Sequence, residues 1–184
     1  MTMKIFIGLT EIAGYYGNLK KGFREIGVEC TFINLSSHPF KYGGDDEPNI
    51  LIKMYKWNLR QMRKLNYKIL KAPFFISLHL LKIPIFIWAL YHYNVFIFAF
   101  GRSFFRNYDL PLLKLFNKKI LFTFNGADGR PPYIDGARRN LTPDGYKKMS
   151  RKIKSNIVAI ERYADCVATN PASAHFHTKQ CVNI

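Results

Sequence analysis

The stretch that most constrains this chain is residues 4–35, KIFIGLTEIAGYYGNLKKGFREIGVECTFINL. Residues 4–9 form a short apolar run rich in β-formers and bounded by turn residues, the pattern of a strand buried on both faces. Gly14 and Gly17 follow in the loop AGYYGN. Asn18 is placed to cap a helix whose apolar positions Leu19, Phe23 and Ile26 recur at helical spacing. Gly27 stands at the C′ position, where a positive φ ends many helices. Residues 28–35 read as the next strand. A βαβ unit with glycines at its first crossover places small backbone groups and a helix N-terminus at the mouth of a parallel sheet, where phosphate-bearing ligands dock. The spacing is not GxGxxG, so no nicotinamide or flavin fingerprint is read from it.

The rest of the chain continues the alternation. Residues 36–49 read as a loop, with Pro39, Gly43 and Gly44 and the acidic group Asp45, Asp46 and Glu47. From Asn49 to about Lys71 the pattern predicts one amphipathic helix, with Leu51, Tyr55, Met62, Leu65 and Ile69 on one face. Residues 83–100 carry no formal charge and reach the length of a membrane span. Pro84, the polar group Tyr91 to Asn94 and the β-branched and aromatic run after it favour instead a short buried helix over 85–91 feeding a central strand that ends at Gly101. A short helix opened by Asp109 and Pro111, a strand over 119–124, a long loop, a helix from Thr142 and Pro143 to Tyr163 or beyond, and a fifth strand over 165–169 complete the order. No closing helix is predicted in the tail. The fold class is α/β, a Rossmann-like open parallel sheet flanked by helices. At 184 residues the chain suits one domain.

Charge narrows the partners. The chain has 28 Lys and Arg against 12 Asp and Glu, a net charge of +16, and a field of that sign favours phosphates, anionic lipid or nucleic acid. The excess is concentrated: between Pro48 and Asp109 there are ten cations and no carboxylate. Lys53, Lys56, Arg60, Arg63, Lys64, Lys68 and Lys71 are the expected membrane- or anion-facing set. A basic helix beside aromatic-rich segments, with Trp57 and Trp88 able to sit at an interface, suits peripheral attachment to an anionic membrane. Nucleic acid is disfavoured because no RNA or DNA module is recognisable. Cys30, Cys166 and Cys181 lack disulfide or zinc spacing and read as reduced, buried thiols. His175, His177 and Cys181 lack the second cluster that a zinc site needs, so no metal is expected. The first apolar run is broken by Gly8 and Glu11 before a secretory signal can form, which gives a cytoplasmic expectation, peripheral at the inner face of a membrane.

Four segments, IAGYYGNLKKGFREIG, FAFGRS, FTFNGADGRPPY and ADCVATNP, taken in order at the ends of successive strands, resemble the N-terminal half of a GT-B glycosyltransferase of the family four type. The resemblance covers residues 1–170, with 171–184 as a tail or the start of an interdomain connection. It implies an acceptor-side domain acting on a polysaccharide or lipid-linked acceptor. The nucleotide-sugar would be bound by a second Rossmann-like domain, to which nothing here corresponds, so a separate donor-binding domain or subunit is the expected partner and no cofactor is expected in this chain. By the same resemblance Gly14 and Gly17 approach the donor diphosphate, Arg102, Ser103 and Arg130 line the acceptor pocket, and Asn125, Gly126 and Asp128 occupy a turn that in the family is of His-Gly-x-Asp type. Asn125 stands where the family has its histidine. Asparagine can donate and accept hydrogen bonds but cannot titrate. No catalytic residue is assigned, and the competing expectation is a non-catalytic binding subunit that docks a partner or an anionic membrane.

Overall fold

The computed structural model of the chain describes residues 3–36, 45–138 and 140–184. In chain order the elements are β1 (Ile5–Leu9), α1 (Tyr15–Glu25), β2 (Cys30–Asn34), α2 (Ile50–Lys64), α3 (Lys68–His92), β3 (Val95–Ala99), α4 (Leu110–Leu115), β4 (Lys119–Phe124), α5 (Pro143–Glu161), β5 (Cys166–Thr169) and β6 (Cys181–Asn183). The strands form a six-stranded parallel sheet of order β2-β1-β3-β4-β5-β6. The expected α/β open parallel sheet flanked by helices is therefore the observed architecture. The chain divides into two compact units, Met1–Asn94 and Val95–Ile184.

In the first unit β1 is buried at all five positions and pairs with β2 from Ile5↔Cys30 to Leu9↔Asn34. The helix after it starts earlier than its apolar spacing suggests. Gly14, at φ 76°, is the N-cap of α1, so Gly17 and Asn18 lie inside the helix and Asn18 caps nothing. The competing signal is Gly14 itself, whose left-handed backbone turns the chain directly into Tyr15. Gly27 stops α1 at φ 73° as expected. Of the acidic group, Asp46 accepts from Lys20 Nζ at 2.5 Å and from Phe32 N at 2.9 Å. Lys56 pairs with Asp45 and Glu47. The loop features at Pro39, Gly43 and Gly44 lie outside the described residues, as does His38.

The single helix expected over residues 49–71 is two helices. Asn49 caps α2, accepting from Ile52 N at 3.0 Å. Leu65 then turns extended at φ −86°, ψ 138°, and α3 begins at Lys68. Continuing the helix would have kept Ile69 on the buried face, yet it is 86% exposed. Reversing the chain at Leu65–Tyr67 instead packs α2 against α3, with Ile52, Tyr55, Leu78, Ile85 and Phe86 all buried. The short buried helix expected over 85–91 is the last part of this 25-residue α3, which holds both Pro73 and Pro84 in its interior. A proline removes one backbone hydrogen bond and kinks a helix without ending it when apolar packing flanks the break.

In the second unit, four parallel strands carry the core. Phe96, Phe98, Phe122 and Phe124 are fully buried, with the Phe98 and Phe122 rings 5.4 Å apart. β3 pairs with β4 from Val95↔Lys119 to Ala99↔Thr123, and β4 with β5 from Leu121↔Cys166 to Phe124↔Thr169. Asp165 fastens the start of β5 to β4: its backbone N–H donates to Ile120 O and its carboxylate accepts from Ile120 N, both at 2.8 Å, and from Lys114 Nζ at 2.9 Å. Burial pushes the Asp165 carboxyl up, but the Lys114 hydrogen bond, the Ile120 N–H and the charges of Lys114 and Lys119 outweigh it and hold the group below its ordinary value. The α5 helix is capped by Thr142, as expected, and ends at Glu161, short of Tyr163. The tail is more structured than its composition suggests. Residues Pro171–Phe176 form a 3-10 helix, and β6 adds a sixth parallel strand.

Candidate functional site

Parallel α/β sheets bind ligands beyond the carboxyl ends of their strands, because loops there carry free backbone and side-chain polar groups while the strands hold them rigidly. Four such ends bear on the expected site residues.

After β1, the helix N-terminus does not present its N–H groups freely. Glu11 is fully buried, and its Oε2 accepts from Gly17 N at 3.0 Å, so a carboxylate of the chain itself occupies the positive end of α1. A Cβ built on Gly14 would meet nothing within 4 Å; its glycine is required by φ and not by close approach. The carboxylate of Glu11 thus takes the helix N-terminus at which Gly14 and Gly17 are expected to approach a diphosphate.

After β3, Phe100 and Gly101 turn the chain at φ 58° and 62°. Gly101 is required sterically as well, since a Cβ there would come within 2.7 Å of Asn156 Nδ2. Its carbonyl accepts from Asn107 Nδ2 at 3.1 Å and from Asn156 Nδ2 at 3.0 Å, and Asn107 Nδ2 also donates to Asn156 Oδ1 at 2.8 Å. Arg102 is exposed. Ser103 is buried and committed within its own loop: its hydroxyl donates to Asp109 and accepts from Asn107 N, and Asp109 also accepts from Phe104 N and Phe105 N. Of the two expected pocket residues on this loop, Arg102 faces solvent and Ser103 braces the turn.

After β4, the loop keeps its polar groups open. Asp128 Oδ1 reaches back to accept from Gly126 N at 2.9 Å, inside a tight turn closed by Gly129 N donating to Gly126 O at 3.1 Å. Gly129 packs so closely on Phe124 that a Cβ would sit 2.9 Å from the Phe124 Cβ. Asp128 Oδ2 and Asn125 Nδ2 are buried with no hydrogen-bond partner. Arg130 reaches Asp135 with Nη2 at 3.7 Å while its Nε is buried and unpartnered. Gly126 stands in open space. Burial raises the Asp128 carboxyl above its ordinary value, opposed by the N–H groups of Asp128, Gly126 and Asn125 and by His177.

After β5, Asn170 follows Thr169, the register partner of Phe124, so Asn125 and Asn170 leave adjacent strands side by side. Asn170 Oδ1 is also buried and unpartnered. Thr169 Oγ1 donates to Phe124 O at 3.1 Å and locks the two exits together. An imidazole does reach this place, from a part of the chain that sequence reasoning did not select for it. His177 packs its ring on Phe124 at 4.7 Å between centroids, with its side chain fully buried. Its Nδ1 is 2.8 Å from Glu161 Oε1. Glu161 also accepts from Thr178 N and Thr178 Oγ1, which makes it an acceptor throughout, so His177 donates from Nδ1–H and Nε2 faces away from that bond without a partner.

Asn170, Glu161 and His177 are the residues of this candidate site that the sequence did not point to. Asn170 repeats the pattern of Asn125, a polar residue one step past a buried strand, and that repetition was the available signal. Nothing local pairs Glu161 with His177, because the fifteen intervening positions are closed by a strand and a 3-10 helix. Among the described residues no three His, Cys, Asp or Glu side chains gather as a metal site. The three cysteines are free and half-buried, not fully buried as expected. Burial pushes the Cys30 and Cys181 thiols up, away from thiolate reactivity.

The raised Asp128 carboxyl gives a stability prediction. A carboxyl whose folded-state affinity for protons exceeds that of the unfolded chain stabilises the fold at low pH, and that contribution is lost as pH rises from the ordinary carboxylate range through the raised value. Asp128→Asn keeps an acceptor for Gly126 N and abolishes the titration. Thermal melts across pH should show the variant matching the parent in acid and melting higher than the parent at neutral pH. A variant that melts lower at neutral pH would mean the ionised carboxylate is favourably held.

No family model, curated protein or solved structure matches the chain.

Proposed function

We propose that this chain is the acceptor-side half of a GT-B-type glycosyltransferase, which takes a sugar from a nucleotide-sugar bound by a second domain or subunit and passes it to a hydroxyl of a polysaccharide or lipid-linked acceptor. The observation that carries the reading is the set of buried polar atoms without partners, Asn125 Nδ2, Asp128 Oδ2, Arg130 Nε and Asn170 Oδ1, beyond the carboxyl ends of two paired strands. Each such atom costs about 1–3 kcal/mol when left unmatched, and a hydroxyl-rich ligand supplies both donors and acceptors to match them.

Assays with labelled nucleotide-sugars test this directly. The purified 184-residue chain should transfer no sugar to a glycolipid or polysaccharide acceptor. Co-expression with a donor-binding half encoded beside it should produce transfer, and Asn125→Ala should reduce it by about an order of magnitude, the effect of one or two hydrogen bonds. Turnover by the chain alone would overturn the half-enzyme reading; no transfer with the second half present would overturn the glycosyltransferase reading.

A second reading, a docking module for an anionic membrane, is favoured by one feature of the first unit. Ile69, Ile76, Leu80, Ile83, Ile87 and Tyr91 of α3 are between 47% and 86% exposed and recur at helical spacing as a single stripe. The helix is long and apolar enough to cross a membrane, and 28% of its most apolar window is buried. Its last turns nevertheless bury Ile85, Phe86, Ala89 and Leu90, so lying in the membrane plane with one face inserted fits it better than spanning. Lys53, Arg60, Arg63, Lys64 and Lys68 are exposed along the neighbouring segment. Lys71 is half-buried, and Lys56 is withdrawn from this set by its pairing with Asp45 and Glu47. Flotation with anionic vesicles separates the contributions: binding lost at high salt rests on the cations, and binding that persists rests on apolar insertion.

A further inference from the structure

We infer that the Glu161–His177 pair is the hydroxyl-reading element of a sugar-binding site beyond β4 and β5, in which His177 Nε2 accepts a hydrogen bond from a ligand hydroxyl. The inference rests on the proposed sugar-handling function and adds to it a residue pair and a ligand polarity.

Four observations converge. The His177 side chain is fully buried and that of Glu161 is 5% exposed, so the pair is shielded from bulk water. Glu161 takes donors on both oxygens and fixes His177 as the Nδ1–H tautomer, an arrangement that orients the imidazole and leaves its far nitrogen as an acceptor. That nitrogen, Nε2, has no partner. The ring lies on Phe124, one residue before Asn125. A buried lone pair, a buried amide N–H at Asn125, and buried carbonyl and carboxyl oxygens at Asn170 and Asp128 make a mixed set. A phosphate offers only acceptors and would meet the oxygens of Asp128 and Asn170 and the lone pair of His177 unfavourably. A pyranose hydroxyl both donates and accepts, and neighbouring hydroxyls on one ring serve several such groups at once. The open space at Gly126 leaves the loop unobstructed on that side.

The test is a titration of the full chain, labelled at histidine ring nitrogens, with D-glucose, N-acetyl-D-glucosamine and inorganic pyrophosphate, following His177 Nε2 by NMR. A saturable shift of His177 Nε2 with at least one sugar, and none with pyrophosphate, is expected. Asn125→Ala, which leaves the Glu161 network untouched, should weaken the sugar about fivefold or more. His177→Phe should abolish the response of the remaining site resonances to sugar, and His177→Gln, which preserves a donor for Glu161, covers the case in which the phenylalanine variant does not fold. No saturable shift with either sugar, a shift with pyrophosphate alone, or a sugar affinity unchanged by Asn125→Ala would each overturn the assignment. Sugar binding without transfer in the co-expression assay would sink the glycosyltransferase reading and leave this site standing.

Discussion

Replacing Leu80 and Ile83 together with glutamate is expected to weaken binding to anionic vesicles by ~30-fold or more, with almost no change in melting temperature. Both side chains lie on the open stripe of α3, Leu80 60% and Ile83 47% exposed. Inserting what is exposed of each contributes about 1 kcal/mol at the area coefficient for apolar burial, and each new carboxylate adds repulsion from anionic headgroups of about the same size. Surface changes of this kind shift fold stability by only about half a kcal/mol, so the flotation result is separable from unfolding. Substituting Arg60, Arg63 and Lys64 together with glutamine should weaken binding too, by about 1 kcal/mol per charge, with a loss that vanishes as salt rises. The apolar defect should survive high salt. Vesicles of zwitterionic lipid alone should bind the parent poorly. If the glutamate pair floats as the parent does, the stripe is not a membrane face and a protein partner becomes the occupant to seek.

How much of this was legible in the sequence follows from the range over which each signal acts. Strands β1, β3, β4 and β5 were readable because runs such as VFIFA and KILFTF are buried on both faces and need no partner to be recognised. Caps were readable where a side chain reaches its own first turn, as Asn49 does to Ile52 N and Thr142 to Gly145 N. Helical periodicity failed at Leu65 because it records spacing and not direction. Leu51 to Ile69 is one face on paper, and only the packing of α2 on α3 makes the reversal favourable. β6 escaped because Cys181–Asn183 is a short edge strand whose burial is slight. For the site, residues immediately after strand ends were visible: Asn125, Gly126, Asp128 and Arg130 all sit at the β4 exit. What each does was not. Ser103 and Gly17 spend their polar groups on Asp109 and Glu11, and those pairings follow from loop geometry. His177 packs at the β4 exit from fifty-two positions beyond Asn125, which no local pattern encodes.

Asp109→Ala should cost about 3 kcal/mol of unfolding free energy, the largest stability effect expected of any polar substitution in the second unit, since it leaves several buried donors without their charged acceptor. The carboxylate is 3% exposed and accepts from Ser103 Oγ, from Phe104 N at 3.2 Å and from Phe105 N at 2.9 Å. It therefore holds the turn after β3 from within, while Asn107 holds it from the other side through Ser103 N at 3.1 Å and Gly101 O at 3.1 Å. Asn107 in turn meets Asn156 of α5, which couples this turn to the helix whose last residue, Glu161, orients His177. Asp109→Asn restores one acceptor but sets its amide donors against N–H groups, so denaturant titrations should place it between the parent and the alanine variant. Ser103→Ala, which removes one bond to Asp109 and one from Asn107 N, should cost about 1–2 kcal/mol. Combining Ser103→Ala with Asp109→Ala should give less than the sum, because both act on one hydrogen bond. Additive losses would mean that Ser103 stabilises the chain through another contact, and its expected place in an acceptor pocket would regain support.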